Sequence, residues 1–139
     1  MKIRDVMTPE PLTLPASASV QEASQLMRDH DVGSVLVCDD AGDVIGMLTD
    51  RDVAIRACAE GRAPERTSVA SISSDESIAM VSPDDDLQHA VLIMREKAVR
   101  RVPVIEHGRP VGIVSIGDIA ATEAPHSALG EISRARPNA

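Results

Sequence analysis

The chain has 139 residues, of which 43% are hydrophobic and 26% are charged, and its formal net charge is −8 at pH 7. This length fits one compact domain, or two very small domains that share a core, and excludes a multidomain enzyme. The acidic excess repels phosphate polymers and anionic membranes, so we expect neither a nucleic-acid nor a membrane partner. Phe, Tyr and Trp are absent. The core must be aliphatic, and aliphatic side chains and backbone would have to hold any bound base.

The first half of the chain contains one cycle of predicted elements. In chain order these are an extended piece at 12–14, a helix from Val20, a strand at 34–38, a turn at 40–43, a strand at 44–48 and a helix at 50–59. Apolar residues at helical spacing predict the first helix, and Ser19 with Glu22 fits a capping box at its start. The two apolar runs around the turn predict a hairpin.

The second half repeats this cycle. Its predicted elements are an extended piece at 78–81, a helix from Leu87 that Asp86 would cap, strands at 102–105 and 111–114 around a turn at 107–109, and a helix from Ile116 to about Ala121. The order β-α-β-β-α therefore occurs twice. A weak helical pattern at 128–132 and a frayed end at 134–139 follow.

Residue identities support an internal duplication. Gln21, Ala23, Met27, Val35 and Val37 recur 67 positions later, and after one shortened turn the offset becomes 66. Each copy has about 60 residues, which is marginal for a domain alone and explains why the copies come as a pair. We predict a first domain at 1–59, a linker at 60–67, a second domain at 68–124 and a tail at 125–139.

Two short segments, each of which ends a strand and begins a helix, carry the residues best suited to binding a ligand. Thr49 and Asp52 lie in one segment, and Ser115 and Asp118 lie in the other. A helix start presents free N–H groups to a phosphate, the hydroxyl can join that site, and the carboxylate can accept hydrogen bonds from two ribose hydroxyls. The same spacing also fits a plain capping box. Recurrence in both copies favours the nucleotide interpretation.

The two copies resemble a tandem pair of CBS domains, the module named after cystathionine beta-synthase. The resemblance extends to about Thr122. The residues that carry it are the two leading segments, 3–8 and 69–74, the strand cores 35–37 and 102–104, and the glycine-to-aspartate phrases 46–52 and 112–118. Among subfamilies, the chain looks most like small bacterial CBS-pair proteins, including hypoxic-response ones.

The resemblance implies an α+β fold in which two pseudo-symmetric CBS domains pack sheet to sheet and leave two clefts that bind adenosyl compounds in many relatives. One cleft would use Asp118 with Thr8, Leu12, Val32, Ile113 and Ser115. Its twin would use Asp52 with Met47, Thr49, Ser74, Ala79 and Val99. In both cases the walls are aliphatic, in agreement with the missing aromatic residues.

Arg100 and Arg101 fall where related modules place basic residues that contact phosphate, and guanidinium groups suit phosphate oxygens. The matching positions in the first copy are Gly33 and Ser34, so the two clefts should differ in affinity. The alternative is that these arginines form ion pairs with acidic neighbours on the surface.

We therefore expect a cytoplasmic, non-catalytic sensor that requires no cofactor and binds AMP, ADP, ATP or S-adenosylmethionine. It would act as a homodimer and pass its signal to a separate effector protein. The alternative is a ligand-free or metal-responsive dimeric interaction module with vestigial clefts. The four histidines show no zinc-ligand spacing, and both Cys38 and Cys58 are expected to be small buried hydrophobic residues and not redox partners.

Overall fold

The computed structural model describes residues 1–73 and 79–135. The chain divides into two compact units. One consists of Met1–Pro11 together with Ala79–Ala139, and the other is Leu12–Ile78. The N-terminal segment therefore belongs to the unit that is built mainly from the second sequence repeat.

The Leu12–Ile78 unit contains a three-stranded sheet in which β2 (Thr13–Pro15), β3 (Ser34–Cys38) and β4 (Val44–Thr49) lie in that order. Strand β2 runs parallel to β3, which forms the predicted antiparallel hairpin with β4. The elements of this unit are β2 (Thr13–Pro15), α1 (Val20–His30), β3 (Ser34–Cys38), β4 (Val44–Thr49), α2 (Asp50–Asp52), a π-helix (Val53–Cys58), a 3-10 turn (Pro64–Arg66) and α3 (Val69–Ile72). The single helix predicted at 50–59 is thus an α-helical turn that continues as a π-helix. The expected burial of both cysteines is wrong for Cys58, which is exposed at the end of this π-helix, whereas Cys38 in β3 is buried.

The other unit contains an antiparallel sheet in the order β1-β6-β5. Its elements are a 3-10 turn (Ile3–Asp5), β1 (Thr8–Pro9), α4 (Leu87–Lys97), β5 (Arg101–Glu106), β6 (Arg109–Ser115), α5 (Ile116–Glu123) and α6 (Ala128–Arg134). Val81 forms a parallel bridge to Val104, as expected for the extended piece before α4. The β-α-β-β-α order and the α+β class are confirmed, and the weak C-terminal pattern forms a helix.

The predicted start of α1 is confirmed. Ser19 Oγ accepts a hydrogen bond from the Glu22 N–H, and the Glu22 carboxylate accepts one from the Ser19 N–H, each at 3.1 Å. The predicted side-chain cap on α4 is wrong: Asp86 occupies the N-cap position, but its side chain makes no capping hydrogen bond. The Asp86 carboxylate instead pairs with Lys2 Nζ at 3.2 Å, because the N-terminal segment lies against the start of α4.

Each unit has its own aliphatic core, and most core positions match between the repeats. The core of the Leu12–Ile78 unit consists of Ala18, Val20, Ala23, Met27, Val35, Val37, Leu48, Ala57, Val69 and Ile72. The other core consists of Ile3, Val81, Leu87, Ala90, Met94, Val102, Val104, Val114 and Ile119. Burial of this apolar surface is the main favourable term in folding each unit.

The leading segments explain why the compact units differ from the sequence repeats. Ile3 is buried in the core that contains α4, and its N–H donates to the Asp85 carbonyl at 3.0 Å. Val69, the matching residue, is buried in the core that contains α1 and donates to the Ala18 carbonyl at 2.8 Å. Each leading segment therefore completes the core of the other repeat.

Helix α6 packs closely on α5. Gly130 is buried, and a Cβ at this position would overlap the Ala124 carbonyl oxygen and lie 3.0 Å from the Ala120 carbonyl oxygen. No helix within residues 1–73 and 79–135 combines the length and the apolar character that crossing a membrane requires.

Candidate functional site

The best-formed candidate site lies where β6 meets α5. Ser115 is the last residue of β6 and the N-cap of α5, and its Oγ accepts a hydrogen bond from the Asp118 N–H at 3.1 Å. Asp118 Oδ2 accepts hydrogen bonds from the Ser115 N–H at 2.8 Å and from Ser115 Oγ at 2.9 Å. The two residues therefore form the capping box that their spacing predicts.

The capping box uses only one of the two carboxylate oxygens of Asp118. Within residues 1–73 and 79–135, Oδ1 accepts no hydrogen bond and faces no ion-pair partner, and the residue is half-buried. A carboxylate oxygen can accept two hydrogen bonds. The helix cap and recognition of a ligand hydroxyl are therefore compatible roles for the same side chain.

Thr8 and Ile113 are brought together by the pairing of β1 with β6, in which they are direct partners. The next pair in the register places Pro9 opposite Gly112. A Cβ at Gly112 would lie 2.6 Å from Met7 Sδ and 2.9 Å from the Thr8 carbonyl oxygen, so this close approach of β1 depends on glycine. The sequence interpretation missed Met7, which contacts the same strand that ends in Ser115.

Arg100 and Arg101 flank the same strand end. Arg101 is the register partner of Ser115 in the β5–β6 hairpin, and the Arg100 carbonyl accepts a hydrogen bond from the Ile116 N–H at 2.9 Å. Neither arginine side chain forms an ion pair or a hydrogen bond with any residue that the structure describes. The surface ion pairs considered as their alternative role are therefore absent from this part of the chain.

The other unit has a matching strand end with one important difference. Thr49 Oγ1 accepts from the Asp52 N–H at 3.1 Å, and Asp52 Oδ2 accepts from the Thr49 N–H at 2.9 Å, so this capping box is also complete. However, Asp52 Oδ1 lies 3.8 Å from Arg56 Nε. Sequence reasoning missed Arg56, although its i,i+4 spacing from an acidic residue is a known signal for an ion pair.

The remaining predicted residues lie as follows. In the Leu12–Ile78 unit, the Leu12 carbonyl accepts from the Leu36 N–H at 2.9 Å, and the Gly33 carbonyl accepts from the Asp50 N–H at 3.0 Å. Val32 is exposed two residues before β3, and Met47 is half-buried in β4. Ala79 and Val99 belong to the other unit, where Val99 is exposed beside Arg100. Ser74 lies outside the described residues.

Comparison with known proteins gives a clear family match. A model of the CBS domain matches this chain twice, at residues 3–57 and 69–123. The CBS domain-containing protein YhcV of Bacillus subtilis is 35% identical over 128 residues, which are 92% of this chain and 89% of that protein. Hypoxic response protein 1 of Mycobacterium tuberculosis is 38% identical over 117 residues, 84% of this chain and 81% of that protein.

Solved structures agree. A crystal structure of Hypoxic Response Protein I with two coordinated zinc ions superposes with a TM-score of 0.80 at 35% identity, covering 88% of this chain and 98% of that one. A hexameric CBS-CP12 protein from bloom-forming cyanobacteria has a TM-score of 0.80 at 25% identity, covering 90% and 72%. The CBS domain pair of protein MJ0100, in complex with 5′-methylthioadenosine and S-adenosyl-L-methionine, has a TM-score of 0.76 at 25% identity, covering 86% and 93%.

The residues that the structure describes do not fit a resident zinc ion. Within 1–73 and 79–135, no three His, Cys, Asp or Glu side chains are grouped so that they could hold a metal. His89 Nε2 is 4.0 Å from Asp85 Oδ2, and His30 Nδ1 pairs with the Leu26 carbonyl. A structural zinc site needs about four such ligands around one point.

The matched segments cover most of the chain, and each contains one copy of the sequence repeat. CBS pair proteins are regulatory, non-catalytic modules. The chain belongs to the CBS domain family and contains a tandem pair of these domains.

Proposed function

We propose that this chain is a non-catalytic sensor that binds an adenosyl compound at the β6–α5 strand end. AMP, ADP, ATP and S-adenosylmethionine are the candidate ligands. The structural relative MJ0100 binds 5′-methylthioadenosine and S-adenosyl-L-methionine, which supports this ligand class. The ligand would exert its effect by binding, without a covalent step.

One observation carries the proposal: an open carboxylate oxygen lies at the same strand end as two arginine residues that form no ion pair with any described residue. Asp118 Oδ1 is available to accept hydrogen bonds from a ribose diol. Arg100 and Arg101 offer donors that match phosphate oxygens. In a protein with a net charge of −8, two adjacent arginines without an ion pair among residues 1–73 and 79–135 favour a local anionic ligand.

The side chains around this strand end suit an adenine ring. Ile113 is half-buried beside Thr8, its register partner in β1. Aliphatic side chains can contact both faces of a base through dispersion and burial of apolar surface.

Regulation would follow from a population shift. A ligand that binds one arrangement of the protein more tightly than another moves the equilibrium by its difference in affinity. We propose that the protein works in the cytoplasm as a homodimer, and that a separate effector protein reads the change. The hexameric CBS-CP12 structure supports self-association, and the similarity to Hypoxic response protein 1 supports a role in a stress response.

Exposed apolar side chains on helical segments support self-association further. Leu92 of α4 is 39% exposed, and Ile55 of the π-helix is 51% exposed. Burial of such groups between two copies would remove apolar surface from contact with water and so favour association. Light scattering after size-exclusion chromatography tests this part: a mass of two chains is expected, and a monomer at all concentrations would contradict it.

A thermal-shift panel tests ligand binding. AMP, ADP, ATP, S-adenosylmethionine and zinc are added separately to the purified protein, and a ligand that binds only the folded state raises the midpoint. We expect a rise with at least one adenosyl compound. No rise with any adenosyl compound at millimolar concentration would refute the proposal, and a rise with zinc alone would favour the metal-responsive alternative.

Asp118→Ala separates ribose recognition from capping. Loss of the Asp118 carboxylate should cost about 1 kcal/mol of stability or less, because the Ser115 hydroxyl still caps the helix. Loss of a hydrogen bond to a charged group should weaken binding of the adenosyl ligand by about 10-fold to 100-fold. Ser19→Ala, which removes a capping box on α1, is the matched control: it should reduce stability but leave affinity unchanged. Equal affinities of wild type and Asp118→Ala would assign Asp118 to capping alone.

A further inference from the structure

The Asp52 strand end differs from the Asp118 strand end in the partner of the second carboxylate oxygen. Asp52 Oδ1 faces the Arg56 guanidinium at 3.8 Å, and the Asp52 side chain is only 15% exposed. Arg56 is held from a second direction, because its Nη1 donates to the Ile72 carbonyl at 3.2 Å. The guanidinium therefore occupies a defined place beside the oxygen that a ribose diol would need.

The other unit has no such group at the matching position. Four residues after Asp118 stands Thr122, and its hydroxyl donates to the Asp118 backbone carbonyl at 3.0 Å. The carboxylate of Asp118 thus keeps Oδ1 open, as described above. Both carboxylates accept the hydrogen bond of a capping box through Oδ2. The residue four positions later, Arg56 or Thr122, therefore determines whether Oδ1 has a partner.

We propose that Arg56 is an internal competitor that weakens adenosyl binding at the Asp52 strand end. The two strand ends therefore differ in their affinity for the ligand. This inference rests on the proposed function, because it concerns the same ligand class. A ligand that uses Asp52 Oδ1 must displace the guanidinium from the carboxylate. Because the ligand must break this partly exposed ion pair, its affinity for the Asp52 strand end should be lower by about fivefold.

Site-resolved NMR titration tests the inference. The probe is 5′-methylthioadenosine, which carries no phosphate, so that the absence of an arginine pair near Gly33 does not enter the result. The amide signals of Thr49 and Asp52 report binding at one strand end, and those of Ser115 and Asp118 report binding at the other. In the wild type we expect the weaker affinity at Thr49 and Asp52.

Two reciprocal variants give the expected changes. Arg56→Thr should tighten binding at the Asp52 strand end about fivefold and leave the Asp118 strand end unchanged. Thr122→Arg should weaken binding at the Asp118 strand end by a similar factor. Arg51→Thr is the matched control, since Arg51 is an exposed arginine of α2 with no ion pair among the described residues. It should change neither affinity.

The possible outcomes separate this inference from the proposed function. If wild type binds the probe but Arg56→Thr leaves the Asp52 strand end unchanged, the competitor role is refuted and the sensor role stands. If Arg56→Thr weakens binding there, Arg56 is a ligand contact instead. If Arg56→Thr fails to fold, Arg56→Met, which keeps the aliphatic stem, replaces it with the same expectation. No binding at either strand end in any variant would overturn both proposals.

Discussion

The contact of β1 with β6 leads to a sharp prediction for Gly112→Ala. The added Cβ would lie 2.6 Å from Met7 Sδ and 2.9 Å from the Thr8 carbonyl oxygen. The Met7 side chain is flexible and can move away, but the Thr8 oxygen belongs to the backbone of β1. The strand must therefore shift, and overpacking of this kind costs about 1–3 kcal/mol.

The expected change in melting temperature follows from chain length. With a mean unfolding entropy of about 2.1 cal/mol/K per residue, this chain loses about 3 °C for each kcal/mol. Gly112→Ala should therefore melt about 3–10 °C below the wild type. Circular dichroism during heating measures this directly, and urea unfolding gives an independent free energy of unfolding.

A double variant checks the assigned cause. Adding Met7→Ala to Gly112→Ala should recover only part of the lost stability, because it removes the sulfur contact and leaves the Thr8 carbonyl in place. Full recovery would assign the effect to Met7 alone. If Gly112→Ala melts within about 1 °C of the wild type, well below the shift expected for overpacking, the close approach of β1 to β6 is not as described.

Two further predictions concern charged groups. Arg100→Ala should weaken binding of AMP more than binding of adenosine, measured by calorimetry, because only AMP carries a phosphate for the guanidinium; an equal loss for both ligands would contradict the phosphate role. The hydrogen bond from Arg28 Nε to Asp29 Oδ1, at 2.9 Å, lowers the pKa of the Asp29 carboxyl below its usual value. The stabilising contribution of Asp29 is therefore present above the usual carboxyl pKa and is lost as the pH falls through the lowered one. An NMR titration should find this lowered pKa and its rise in Arg28→Gln, whereas an ordinary pKa in the wild type would show that the hydrogen bond does not form.

The local elements were predictable because their signals lie within a few residues of each other. The capping boxes of Ser19 with Glu22 and of Ser115 with Asp118 each span three positions, and both form as predicted. The hairpins follow from two apolar runs that flank a short turn. The duplication was also visible, since it needs only a comparison of the chain with itself.

The candidate site was predictable only in part. The strand ends with Asp52 and Asp118 were found, but the Arg56 guanidinium beside Asp52 was not. The two segments, 46–52 and 112–118, look equivalent when only their glycine, hydroxyl-bearing and aspartate residues are compared. Their difference lies in which group faces the second carboxylate oxygen, and that depends on the path of the π-helix after Asp52 and on the Ile72 carbonyl that holds Arg56.

The sequence by itself determined the repeat, the order of helices and strands, the aliphatic character of both cores and the capped strand ends, because these depend on local spacing and composition. Only the tertiary structure decided which segments complete each core. Ile3 joins the unit of α4 and Val69 joins the unit of α1, although the repeats are similar enough that either segment suits either core by its apolar pattern. Such contacts join residues far apart in the chain, where the choice depends on complementary packing and backbone hydrogen bonds that no local pattern encodes.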